Sequence, residues 1–211
     1  METKYKYGFL YPLYKSVIEF IKEWNAVEKF KDLAVWFGKR KGFTSESEKK
    51  ACKRIGTDSF IVFKWLVVCL LWMLNWNGIA AFVIISYLIF TNVFTYYYYH
   101  VWDEDALKSK GDFDSIKRRF FNLLLAIAYS EFCFAYLYTH QFLLDFKFND
   151  STSYILQSFW FSISNSLAAN YDNVKIESQV GYSITMIQLI VTFAFITIIL
   201  SNSIPETEEN E

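Results

Sequence analysis

The sequence predicts an all-α integral membrane protein: four transmembrane helices, a re-entrant helix between the third and fourth, and an N-terminal amphipathic helix that is cytoplasmic or interfacial. Three observations lead there. Of 211 residues, 54% are hydrophobic and 21% aromatic, outside the ordinary range of soluble domains. The apolar residues are gathered into runs, four of them long enough to cross about 30 Å of hydrocarbon as helices. A fifth run, Ser153–Leu167, is too short to cross, and the polar stretch Asn170-Tyr171-Asp172-Asn173 follows it before the last long run begins. A segment that enters the bilayer and cannot cross it must turn back. Polar backbone at such depth is tolerated only where protein buries it or a water-filled cavity meets it.

Residues 1–57 are too charged to span. Leu13, Val17, Phe20, Ile21 and Trp24 recur at helical spacing with Lys15, Glu19, Lys22 and Glu23 between them, which predicts one amphipathic helix of about 13–36. Aromatic residues crowd it, from Tyr5 and Tyr7 through Phe9, Tyr11 and Tyr14 to Phe30 and Trp36. Aromatic and basic together suit a membrane interface; a small cytoplasmic helix packed on the bundle is the plainer reading. Gly38 and Lys39-Arg40-Lys41-Gly42 end the helix. Ser45 with Glu48 has the spacing of a capping box for a short helix ahead of the membrane.

The first span is Ser59–Trp76, with Lys64 near its end and able to snorkel. Asn75-Trp76-Asn77-Gly78 is a turn signal, so the second span, Ile79 to about Tyr99, returns at once as an antiparallel hairpin. It closes on an aromatic belt, Tyr96 to Trp102. A polar loop follows over 103–119. The third span runs from Phe120 to about Leu144, and 145–152 forms a short outer turret ahead of the re-entrant segment. The fourth span is Val180–Ser201. Pro205 stops it, and residues 206–211 are an acidic tail. The expected organisation is thus an amphipathic region (1–57), a hairpin of two spans (58–102), a cytoplasmic loop (103–119), a span, re-entrant helix and span (120–203), and a tail (204–211).

Charge orients the spans. Of 21 Lys and Arg, 13 precede the first span and 5 lie between the second and third, leaving Lys147 and Lys175 on the other side and Lys64 within the first span. The positive-inside rule then puts both termini in the cytoplasm, in a plasma or inner membrane. Charge alone leaves a five-crossing chain open, because residues 204–211 carry no Lys or Arg. The first residues lack an uninterrupted apolar core and a small-residue cleavage site, so no cleaved signal peptide is expected.

The stretch Phe161-Ser162-Ile163-Ser164-Asn165-Ser166-Leu167-Ala168-Ala169-Asn170-Tyr171-Asp172-Asn173 resembles the pore helix and selectivity filter of the two-helix, pore-loop cation channels of the potassium-channel superfamily. The likeness covers roughly residues 118–203. With Tyr171 laid on the tyrosine of the family's Thr-Val-Gly-Tyr-Gly-Asp filter, Gly181 falls on the glycine that opens the inner helix. Gln188 then falls on a usual Glu and Thr192 on the small residue where that helix bends. The other filter positions are here Ala168, Ala169, Asn170, Asp172 and Asn173. Both filter glycines are absent; Asn and Asp are the next best tolerated at positive φ. The resemblance implies a homotetramer that conducts monovalent cations with weak or non-potassium selectivity, its constriction at Asn170, Tyr171 and Asp172.

Individual residues carry both a functional and a plainer reading. Glu131 lies about 11 residues, or ~17 Å, into the third span; an intramembrane carboxyl marks a gate or proton site, or a hydrogen-bonded packing residue. At similar depth the second span offers Ser86 and Tyr87, which could hydrogen-bond it; Lys64 lies shallower. Thr185, Gln188 and Thr192 share one helical stripe, reading as inner-pore lining or as interhelical glue, with Thr197 further on. Ser162, Ser164, Asn165 and Ser166 make the re-entrant helix polar on part of its surface, which suits packing among subunits. Asp145, Asp150, Asp172 and Glu177 outweigh Lys147 and Lys175 at the outer mouth, a weak attraction for cations.

His100 and His140 have no catalytic partner at recognisable spacing. Cys52, Cys69 and Cys133 are an odd number and form no disulfide framework or metal cluster. No hydrolase, metalloprotease, phosphate-loop or dinucleotide motif is present, so neither an enzyme nor a cofactor is expected, and nothing points to nucleic acid. The expected partners are the lipid bilayer, copies of the chain, monovalent cations, and a cytoplasmic protein at the N-terminal helix. A non-conducting membrane subunit or anchor that binds such a protein is the second reading. A membrane-permeabilising effector of toxin or host-defence type is the third.

Overall fold

The computed structural model describes residues 8–102, 113–149 and 153–203. Tyr5, Tyr7, most of the 103–119 loop, Asp150 and the acidic tail lie outside the described residues. The described chain is helical apart from one two-stranded sheet, and four helices are long and apolar enough to cross a membrane: Glu46–Met73, Ile79–Trp102, Phe120–Gln141 and Gln179–Ile198. That is the architecture of a multi-pass membrane protein. The chain divides into two units between Lys64 and Trp65.

In the first unit the helix expected over 13–36 is two helices, α1 (Leu10–Glu23) and α2 (Ala26–Arg40). Asn25 divides them: its backbone is extended and its side chain accepts from the Val27 amide at 3.2 Å. This is the N-cap chemistry that lets asparagine begin a helix. The capping box forms as expected, Ser45 Oγ accepting from the Glu48 amide at 3.2 Å and Glu48 Oε2 from the Ser45 amide at 2.9 Å. The helix it opens is not short. It runs unbroken as α3 (Glu46–Met73) into the first span, and the Thr57 hydroxyl within it donates to the Lys53 carbonyl.

At Gly56 α3 meets the backbone of α2. A Cβ there would stand 2.8 Å from both Lys31 Cα and the Phe30 carbonyl, so only glycine permits the approach. The Phe30 ring lies 5.4 Å from Phe60 and 5.3 Å from Phe63. Lys64, expected to snorkel, is 3% exposed and covered by protein.

The second unit holds the end of α3, α4 (Ile79–Tyr97), α5 (Phe113–Tyr136), α6 (Tyr154–Ser166) and α7 (Gln179–Ser203). Gly78 begins α4 after the turn read from the sequence, where Asn75 takes the positive φ of 45°. Both α4 and α5 end in a wider π-turn, Tyr98–Trp102 and Leu137–Gln141. α5 starts well ahead of Phe120, so Lys117 and Arg118 are part of it.

Leu123, Ala126, Phe195 and Ile198 are a buried cluster, with Val93, Tyr96 and Val191 packed against it. Polar contacts join α4 to α5: Asn92 Nδ2 donates to the Ala126 carbonyl at 2.8 Å and Ser130 Oγ at 3.0 Å, and Tyr96 OH to the Asn122 carbonyl at 2.6 Å. Nearer the other end, Trp72 stacks on Phe159 at 5.4 Å, with Phe132, Tyr136 and His140 around it.

Candidate functional site

The short apolar segment is clamped at its base. Strand β1 (Phe146–Phe148) ahead of α6 pairs antiparallel with β2 (Val174–Ile176) behind it. The Asn149 amide donates to the Asn173 carbonyl at 3.0 Å, and the Glu177 amide to the Asp145 carbonyl at 2.9 Å. Gln157, buried on α6, then binds Asn149 twice. Its Nε2 donates to the Asn149 carbonyl at 2.6 Å and its Oε1 accepts the Asn149 amide at 3.0 Å. The start of α6 is thereby fixed to the sheet by a side chain that imitates one more strand residue.

At its other end α6 closes on itself. The Ala169 amide donates to the Ser164 carbonyl at 2.8 Å and the Ala168 amide to that of Asn165 at 2.9 Å, with Ala168 at φ +53°. These two bonds and the left-handed residue are the Schellman ending, here with alanine where glycine is usual. Ala168→Gly is therefore expected to stabilise the chain by up to ~1 kcal/mol, since the strain of a side chain at positive φ is relieved. Comparison of the two unfolding midpoints in detergent checks it.

Beyond this turn the backbone runs back to β2. Leu167, Ala168, Ala169, Asn170 and Asp172 are exposed, and Tyr171 and Asn173 half-buried. Asn170 Nδ2 donates to Asp172 Oδ1 at 2.6 Å. In this loop the positive φ falls on Ala168, and not on Asn170 or Asp172, where the resemblance leads one to expect it.

Behind the loop lies a buried polar network. Glu131 Oε2 accepts from Ser162 Oγ at 2.8 Å and from Gln188 Nε2 at 2.7 Å. Gln188 Nε2 also donates to the Ser162 carbonyl at 2.9 Å, and its Oε1 accepts from Tyr138 OH at 2.5 Å and Asn165 Nδ2 at 2.8 Å. Asn165 Nδ2 reaches the Thr185 carbonyl at 3.1 Å as well. Five side chains from α5 and its π-turn, α6 and α7 therefore form one unit, with Gln188 at its centre and fully buried. Membrane helices use such bonds to fix their neighbours.

The arrangement revises several expectations. Ser86 and Tyr87 are not the partners that hold Glu131; Ser162 and Gln188 are. Of the stripe Thr185, Gln188 and Thr192, the first two are buried within their own chain. Thr192 Oγ1 is buried without a hydrogen-bond partner among the described residues. The exposed side of α7 carries Ser183, Met186, Ile190, Phe193 and Thr197 instead. In the two-stranded sheet Lys147 and Lys175, dispersed in the sequence, stand directly opposite one another. Reading by residue missed Gln157 and Tyr138; the signal for both is a polar group inside an apolar run that must find a partner. Among the described residues no cluster of His, Cys, Asp and Glu is arranged to hold a metal. No protein-family model, no curated protein and no solved structure matches the chain.

Proposed function

We propose that the chain is one subunit of a homotetrameric, pore-loop ion channel that conducts small monovalent cations with weak, non-potassium selectivity. The loop 167–173 carries the reading: it hangs from the far end of a 13-residue helix, and its own chain leaves most of it uncovered. The network behind it supports a position deep in the membrane. Ser162 is bonded to Gln188, which lies about 14 Å inside the end of α7 at 1.5 Å per residue. The turn just past Ser166 then falls near the middle of ~30 Å of hydrocarbon, where bare backbone polar groups need protein or water. Copies of the chain around a shared axis supply both.

The paired strands favour a re-entrant helix over a fifth crossing, because Asn149 and Asn173 are joined at one end of the bundle. In this reading both termini are cytoplasmic, following the charge asymmetry, and the N-terminal helices lie at the interface. Asn170, Tyr171 and Asp172 form the constriction, Ala168 and Ala169 its foot and Asn173 its mouth. Gln188 and Thr185 brace the loop from behind, and the exposed side of α7 lines the inner passage.

Planar-bilayer recording tests it. The purified protein is expected to carry cation-selective current, and Asp172→Ala and Asn170→Ala to change its size or selectivity. Absence of current, or current indifferent to both substitutions, overturns the reading.

A further inference from the structure

Helix α1 leaves its largest apolar side chains bare. Phe9, Leu10, Leu13, Val17, Phe20 and Trp24 recur at spacings of three and four and so share one side. All are exposed, Phe9 at 81% and Trp24 at 70%, while Ile18 on another side is buried. On α2, Leu33, Trp36 and Phe37 are likewise exposed, and the Arg40 guanidinium sits 3.7 Å over the Trp36 ring. Large apolar side chains exposed in this number mark a binding face.

Two further observations identify what covers it. The first is level. Phe30 of α2 packs on Phe60 and Phe63, which open the first long apolar run, directly after Lys49, Lys50, Lys53 and Arg54. With Gly56 admitting the α2 backbone at the same place, α2 is held where α3 passes from charged to apolar residues. That is the boundary between water and hydrocarbon. The second is charge. From Gly8 to Asp58 there are 11 Lys and Arg against 7 Asp and Glu, an excess that attracts anionic headgroups.

We infer that α1 and the exposed side of α2 form a lipid-binding surface lying in the headgroup layer, with anionic phospholipid as its ligand. The inference deepens the interfacial placement proposed above, and rests on the chain being membrane-embedded but not on conduction. In-plane helices of this kind bury their apolar side by roughly 5–10 Å at the boundary.

Spin-label accessibility on the full chain tests it, with Cys52→Ala, Cys69→Ala and Cys133→Ala as background. Labels are placed at Leu13→Cys, Val17→Cys and Phe20→Cys, with Lys15→Cys and Glu19→Cys as controls. The vesicles are phosphatidylcholine with a quarter phosphatidylglycerol, or phosphatidylcholine alone. In the anionic vesicles the first three labels are expected to meet oxygen and be shielded from a water-soluble nickel chelate, with the controls reversed. That shielding is expected to weaken in phosphatidylcholine alone.

Labels on the stripe that meet the chelate as freely as the controls overturn the inference, as do labels shielded from both reagents, the signature of a protein contact. Shielding equal in the two lipids overturns the anionic ligand. Depth is read without ion flux, so a failure here leaves the pore reading standing, and a silent pore leaves this surface standing.

Discussion

Gln188→Leu is expected to destabilise the chain by about 3 kcal/mol, measured as the shift in a reversible detergent-denaturation curve followed by tryptophan fluorescence. Leucine is close to glutamine in volume, so packing is nearly kept and polarity alone is lost. Gln188 is fully buried and touches Glu131, Ser162, Asn165 and Tyr138 through both ends of its amide. Its removal leaves the buried Tyr138 hydroxyl without the amide oxygen it donates to, and takes one of two side-chain donors from the half-buried Glu131 carboxyl. Each orphaned group costs ~1–3 kcal/mol, and members of one network do not add independently. Thr192→Val, one turn further along the same helix, is the internal control: its hydroxyl has no partner to lose among the described residues, so its curve is expected to stay in place or move towards greater stability. A Gln188→Leu shift below about 1 kcal/mol, within the range of an ordinary interhelical bond, sinks the claim that Gln188 is the hub.

That contrast marks the line between what the residues disclose in order and what only the fold discloses. Runs of apolar residues, the Ser45–Glu48 cap and the turn before Gly78 depend on neighbours a few positions away, and all three stand where the sequence reading puts them. Counting along helices gives depth but not direction. Ser86 and Tyr87 lie at the right depth for Glu131, yet the side of α5 that carries it turns towards α6 and α7. The stripe of Thr185, Gln188 and Thr192 is real as a stripe; which way it faces depends on where α6 packs. Asn25 is legible as a cap only when the apolar period is allowed to restart there, since Trp24 and Val27 continue the pattern across the break. Ala168 shows the same limit from the other side. Residue type points to Asn170 and Asp172 for a left-handed backbone, while the helix ending needs it three residues after Asn165 whatever residue stands there.

Gly181→Val is expected to open the base of the loop, at a cost of about 2–3 kcal/mol, the upper range for forcing side-chain volume into a packed site. Gly181 is in the first turn of α7, where its amide donates to Ser178 Oγ at 3.0 Å and Ser178 in turn bonds the Asp145 carboxyl. A Cβ at this position would stand 2.9 Å from the Asp145 carbonyl oxygen and 2.7 Å from Ile176 Cγ2. The isoleucine can rotate away; the carbonyl cannot, because it already accepts the Glu177 amide that joins the two strands. The variant must therefore move α7 away from the sheet or break that bond, and either change loosens the clamp that returns residue 173 beside residue 149. Hydrogen exchange at the Asn149 and Glu177 amides reads the clamp directly, and both are expected to exchange faster in Gly181→Val while the amides of the Leu123 to Ala126 turn stay protected. Unchanged exchange at Asn149 and Glu177 refutes the close approach. If the proposed constriction at Asn170, Tyr171 and Asp172 depends on a loop held at its base, faster exchange is expected to come with altered current; faster exchange with unaltered current separates the clamp from that constriction.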